Sequence, residues 1–192
     1  MFTLEKLIRE IFDLDKNKSK QNNNINETPK QESKKDIIER NVERQLSELE
    51  NILCSLKIDK ENVMLTGSIA LYKHGLLPED RAPHDIDVIV KGDKELDRDF
   101  QTLTKINGGN EFWKQKEYYS QLKPEHKPFM FVKREVVFNF WIIDENTEFN
   151  TELKSKEGYY IATVKHILDA KKVYGRKKDL KDILSIIANL IN

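Results

Sequence analysis

Asp85-Ile86-Asp87-Val88-Ile89-Val90 is the stretch whose reading decides the fold. Three consecutive β-branched apolar residues favour a strand, whereas aspartate disfavours strand interiors. The run therefore predicts a strand over about 85–90 with two acids at its entry. Side chains alternate along a strand, so Asp85 and Asp87 leave one face and Ile86 and Val88 the other. A D-x-D pair at a loop–strand junction also arises as a solvated strand start. What precedes it gives it more weight. Val63-Met64-Leu65-Thr66-Gly67-Ser68 reads as a strand over 62–66 that turns at Gly67-Ser68 into a short helix ending near Lys73. Backbone N–H groups at such a turn suit a phosphate. Two neighbouring carboxylates repel each other and call for a cation, and Mg²⁺ takes such oxygens along with substrate phosphates. A phosphate cradle beside metal-holding carboxylates is the minimal apparatus for phosphoryl or nucleotidyl transfer.

Working outward, residues 35–57 predict a long helix with Ile38, Val42, Leu46, Leu49, Leu53 and Leu56 on one face. Residues 94–105 predict another helix, broken at Gly108-Gly109. Phe129 to Val132 and Val136 to Ile143 read as two strands joined by a hairpin turn at Lys133-Arg134-Glu135. Two helices close the chain, over about 161–174 and 179–191. The last carries an apolar stripe of Leu180, Ile183, Leu184, Ile187 and Ile191. At the other end, residues 3–14 read as an amphipathic helix, with Leu4, Leu7, Ile8 and Ile11 in register. Residues 15–34 are polar and lysine- and asparagine-rich, too poor in apolar side chains to offset their ordering entropy. The expected organisation is an N-terminal helix (1–14), a linker (15–34) and one domain (35–192).

Composition narrows the function. Lys+Arg and Asp+Glu are both 33, a formal net charge of zero, which disfavours non-specific coating of nucleic acid. A single cysteine, Cys54, excludes an intrachain disulfide and a cysteine-rich zinc site. The four histidines show no metal-binding spacing. No run is apolar enough to span a bilayer, and the first residues lack a signal-peptide core. A soluble cytoplasmic protein without membrane contact is the expectation.

The string Leu65-Thr66-Gly67-Ser68, a short helix, a loop and His84-Asp85-Ile86-Asp87-Val88 resembles the nucleotidyltransferase superfamily of polymerase-beta-like fold. Its closest flavour is the minimal or abortive-infection-type bacterial nucleotidyltransferases. Ala170-Lys171-Lys172-Val173-Tyr174-Gly175-Arg176-Lys177-Lys178-Asp179-Leu180 is similar to the lysine and Arg-x-Lys-Asp pattern near the end of those proteins. The resemblance covers about residues 60 to 190. It implies an α+β fold, a small mixed sheet flanked by helices with a helical C-terminal part. It implies that Gly67, Ser68 and Lys171 contact the phosphates of a nucleoside triphosphate, and that Asp85 and Asp87 bind Mg²⁺ or Mn²⁺. It also implies a third carboxylate on a later strand.

There the chain departs from the pattern. The polar residue inside the later strand is Asn139. An amide can offer a carbonyl oxygen to a metal, but it carries no charge and takes no proton as a base. Glu135 shares its strand parity and Asp144 sits at the strand's end; each is a candidate substitute. The lysines of 171–181 read equally as a solvated surface. His84, next to Asp85, points to the other face of its strand, which suits an incidental role. Tyr118-Tyr119 and Tyr159-Tyr160 can stack a base, though aromatic core packing is the commoner use. Two functions are thus expected. One is a Mg²⁺-dependent transfer of a nucleoside monophosphate from an NTP to a hydroxyl on RNA, protein or a small molecule. The other is a degenerate member that binds nucleotide or a protein partner without catalysis, a toxin–antitoxin-type component docked through the N-terminal helix being one form of partner.

Overall fold

The computed structural model describes residues 33–78, 81–106 and 128–191. The N-terminal helix, nearly all of the linker and the Tyr118-Tyr119 pair lie outside those residues. The long helix α1 spans Lys34–Ser55. It starts one residue earlier than its apolar periodicity suggests, because Ser33 and Asp36 form a reciprocal capping box that satisfies the first free N–H groups. Ser33 and Lys34 thus belong to the start of α1. One face of α1 buries Ile38, Val42, Leu46, Leu49, Ile52 and Leu53.

The fold is mixed α+β. Strand β1 is Val63–Thr66 and leads directly into helix α2, Gly67–Lys73. Strand β2 is Asp85–Lys91 and helix α3 is Lys94–Ile106. Strands β3 (Phe129–Lys133) and β4 (Val136–Ile143) form the expected hairpin. Arg134 and Glu135 take positive φ angles of 45° and 67° to close it. Strands β5 (Thr151–Lys154) and β6 (Tyr160–Ala162) follow, then helices α4 (Val164–Tyr174) and α5 (Lys177–Ile191). All six strands make one sheet in the order β3-β4-β2-β1-β6-β5. β2 lies at its centre, antiparallel to β1 and parallel to β4.

Two expectations change. Residues 161 and 162 are not the start of a helix, because Tyr160 and Ile161 pair in parallel with Met64 and Leu65 of β1. Helix α4 starts only after Thr163, whose side chain caps it by accepting from His166 N–H. The stripe on α5 is also not its buried side: Leu180, Leu184 and Ile187 are exposed, while Asp179, Asp182 and Ile186 are buried.

The sheet is unequal on its two faces, and that positions the site. Along β2, Ile86, Val88 and Val90 are fully buried, while Asp85, Asp87, Ile89 and Lys91 are half-buried on the opposite face. Behind the sheet, Phe100, Phe131, Phe138 and Phe140 pack ring on ring, with the Phe100 and Phe140 centroids 4.6 Å apart. No helix among the described residues is long and apolar enough to cross a membrane.

Candidate active site

Asp85 and Asp87 open onto a cavity of about 290 Å³ between the sheet and α4. Register fixes their neighbours. Thr66 of β1 lies opposite Asp87 on one side, and Asn139 of β4 on the other. The Asn139 side chain bridges the two acids: Nδ2 donates to Asp87 Oδ1 at 2.8 Å and to Asp85 Oδ2 at 3.4 Å. The polar residue of β4 therefore stands where strand parity puts it, and it is an amide.

Gly67 forms the cavity's edge next to Asp87. Its φ is +62°, a conformation that side-chain-bearing residues adopt at a cost, and a Cβ there would overlap the Asp87 carboxylate. Two independent constraints thus select glycine at the turn. They let the backbone approach the acid as closely as it does. Ser68 is buried on α2 and lines a second cavity of about 410 Å³, which shares Asp85 with the first. Arg81, His84, Lys178 and Lys181 also line that second cavity. The four predicted residues Gly67, Ser68, Asp85 and Asp87 therefore converge, with Asp85 as the hinge between an apolar space and a basic one. Helix α2 has only seven residues, so its dipole is weak and the positive field here comes mainly from side chains.

The electrostatics follow from this geometry. Burial pushes the Asp87 carboxyl up to about 7, and the charge of Asp85 adds to the effect. The hydrogen bond from Asn139 and the charges of Lys178 and Arg176 oppose it without overcoming it. In the absence of a cation, this acid is held half-protonated near neutral pH.

Lys171 lies on the cavity wall, but its ammonium is committed. It is 2.6 Å from Asp182 and 3.5 Å from Asp179, and all three side chains are buried. Arg176 donates to Asp179 through Nε at 2.6 Å and Nη2 at 3.1 Å, and Arg81 pairs with Asp182. Burial lowers the Lys171 pKa, with the Asp179 charge opposing. For Asp179, the hydrogen bonds and charge of Arg176 outweigh the burial effect, and its pKa is lowered. The basic stretch is thus partly a structural lock between α4, α5 and the loop after α2.

Neither substitute acid reaches the site. Glu135 sits in the exposed hairpin turn, 3.9 Å from Arg44, and Asp144 caps a turn by accepting from Asn146 N–H at 2.8 Å. Among the described residues, no group of three or more His, Cys, Asp or Glu comes together. The aromatic expectation also moves. Tyr159 is buried in the core and Tyr160 bonds Glu61, whereas Trp141 and Tyr174 line the cavity. Trp141 was accessible to the same parity that located Asn139, being two residues further on. Tyr174 lies one turn beyond Lys171 on α4. Arg81 and His166, which also reach these cavities, carry no sequence signal of their own.

Set against known proteins, the chain matches no family model, no curated protein and no solved structure. The functional reading therefore stands on the motif residues and on how they meet.

Two carboxylates from one strand face fit a hard divalent cation, which takes oxygen ligands. A third oxygen belongs to the amide that bridges them: Asn139 Oδ1 is buried without a hydrogen-bond partner. Donor chemistry therefore fits Mg²⁺ or Mn²⁺ and does not fit a thiolate- or imidazole-seeking metal.

Proposed function

We propose that the chain binds a nucleoside triphosphate with a divalent cation and transfers its nucleoside monophosphate to a hydroxyl acceptor, releasing pyrophosphate. The observation that carries this is the convergence of Asp85, Asp87 and the Gly67 turn at the junction of one apolar and one basic cavity. Asp85 and Asp87 hold the cation. When bound, it supplies charge neutralisation and orientation at the phosphates. Lys178, Lys181 and Arg81 supply positive charge on the other side of Asp85, where the leaving phosphates would lie. The apolar space beside Trp141 and Tyr174 suits a planar base, which stacks on aromatic rings.

A second reading has its own observation. Asn139 stands where a third acid would take the acceptor's proton, and among the described residues no other carboxylate joins the pair. Losing a general base costs about a hundredfold to ten-thousandfold in rate. Slow transfer, or nucleotide binding without transfer, follows from that. One experiment separates the readings: incubation of the full chain with each labelled NTP, Mg²⁺ or Mn²⁺, and total RNA or cell lysate. Label moved to an acceptor, and lost in Asp85→Asn, supports transfer. Saturable NTP binding without label transfer supports the binding module. No binding at millimolar NTP refutes both.

A further inference from the structure

The least expected feature of the site is what Asn139 does with its two amide atoms. Its side chain is only 2% exposed. The Nδ2 hydrogens face Asp87 and Asp85, and Oδ1 has no hydrogen-bond partner although it is buried. With both acids ionised this orientation is the favoured one: reversed, the amide would set an oxygen against two carboxylates. A buried polar atom without a partner costs about 1–3 kcal/mol, and a half-turn of the amide would leave its nitrogen in that place instead.

We propose that Asn139 is the third oxygen ligand of the cation at Asp85 and Asp87, and that its amide turns over by half a rotation to become so. The inference rests on the cation reading of the site given above. A half-turn about the terminal torsion exchanges Oδ1 and Nδ2 almost in place, so neither backbone nor packing has to move. Such sp³–sp² torsions are broad and roughly two-fold. Before the cation enters, two N–H groups partly neutralise the carboxylates. Afterwards, two carboxylates and one carbonyl oxygen face the cation with a net charge of −2, which matches one divalent ion. Asn139 is then a metal ligand in place of a lost base. The register Asp87–Asn139 across β2 and β4 holds it at the correct height on the sheet. The exchange has a cost: the cation must displace two hydrogen bonds, so binding is weaker than at a site whose third group already offers an oxygen.

The test is metal binding rather than turnover. Mn²⁺ affinity of the full chain is measured by calorimetry, and the Asn139 side-chain amide is followed by ¹⁵N NMR during a Mg²⁺ titration, assigned through its own backbone. The expected result is one Mn²⁺ per chain. Asn139→Leu, which keeps the volume but offers neither donor nor acceptor, should weaken it about tenfold or more. The Nδ2–H₂ signals should shift on Mg²⁺ addition as their bonds to the carboxylates are lost. Mn²⁺ binding that disappears in Asp85→Asn but is unchanged in Asn139→Leu overturns the inference while leaving the cation site intact. Should Asn139→Leu fail to fold, static Nδ2–H₂ signals in a Mg²⁺-saturated wild-type protein overturn it equally. No Mn²⁺ binding at millimolar concentration, with or without NTP, overturns both the inference and the reading beneath it.

Discussion

Replacing Asp87 by asparagine should stabilise the metal-free protein, and the structure sets the size of the effect. Burial and the Asp85 charge raise the Asp87 carboxyl from 3.8 to about 7. The difference is about 3 pH units, and each unit corresponds to about 1.4 kcal/mol. The ceiling is therefore about 4 kcal/mol. Asp87 keeps some solvent contact along the cavity, so screening reduces the expected gain to about 1–3 kcal/mol. The sign follows from linkage. A carboxyl whose folded pKa lies above its unfolded value binds a proton in the folded state that the unfolded chain has released. That contribution is whole below about pH 4, is lost as pH rises towards 7, and is flat beyond it. Asparagine is nearly isosteric, still accepts from Asn139 Nδ2 through its own oxygen, and has no charge to lose. Thermal unfolding of both proteins in a chelator, from pH 5 to pH 8, reads the effect. For a domain of this size, about 2–4 °C accompanies each kcal/mol. At pH 8 Asp87→Asn should melt about 2–12 °C higher than wild type, and the gap should close towards pH 5. Millimolar Mg²⁺ should raise the wild-type melting temperature and leave that of the variant nearly unchanged. Equal melting temperatures at pH 8, or a less stable variant, would refute the claim that this carboxylate is held at a cost for function.

Gly67→Ala should lose about 1–3 kcal/mol, since it combines a φ of +62° with overlap on Asp87; chemical denaturation measures it, and a neutral effect would mean the turn is not as tight as described. Asp182→Asn removes the buried counter-charge of Arg81 and the shorter of the two ion pairs of Lys171, and should cost about 3–5 kcal/mol, read by the same assay. Trp141→Ala should weaken NTP binding by about 1–3 kcal/mol if the base stacks there, with little change in melting temperature; unchanged affinity in a fluorescence titration would move the base elsewhere.

What the sequence made legible was local and periodic. Period-two alternation in 85–90 put Asp85 and Asp87 on the open face and Ile86 and Val88 on the core face, and the structure agrees residue by residue. The same parity placed Asn139 beside Asp87. Parity failed for Glu135, which belongs to the turn and not to the strand, because its φ of 67° breaks the alternation. Strands β5 and β6 escaped notice for a different reason. They are four and three residues long and exist as strands only by pairing, β6 with β1 from almost a hundred residues earlier. No local pattern encodes a pairing that distant. The stripe on α5 shows the converse. Leu180, Leu184 and Ile187 gave the helix its period, yet the buried side is set by two aspartates whose partners lie on α4 and in the loop after α2.

That ionic lock changes how the basic stretch is to be understood. Read along the chain, Lys171 is a candidate for phosphate contact within a stretch that reads equally as a solvated surface. In the fold, Lys171, Arg176 and Arg81 surround Asp179 and Asp182, three cations against two carboxylates in a buried space. The two aspartates do more than neutralise. They fix the positions of Lys171 and Arg176 on the wall of the cavity that holds Asp85 and Asp87, and one positive charge is left in excess. A cation on a mobile side chain pays entropy each time it meets an anion; one already held by neighbours does not. Donors fixed before the ligand arrives are what electrostatic stabilisation of a transferring phosphoryl group requires. The arrangement is costly as a way to stabilise a fold, since an apolar contact of the same volume would hold α4 to α5 as well or better. Its position beside the carboxylate pair supplies the reason to keep it.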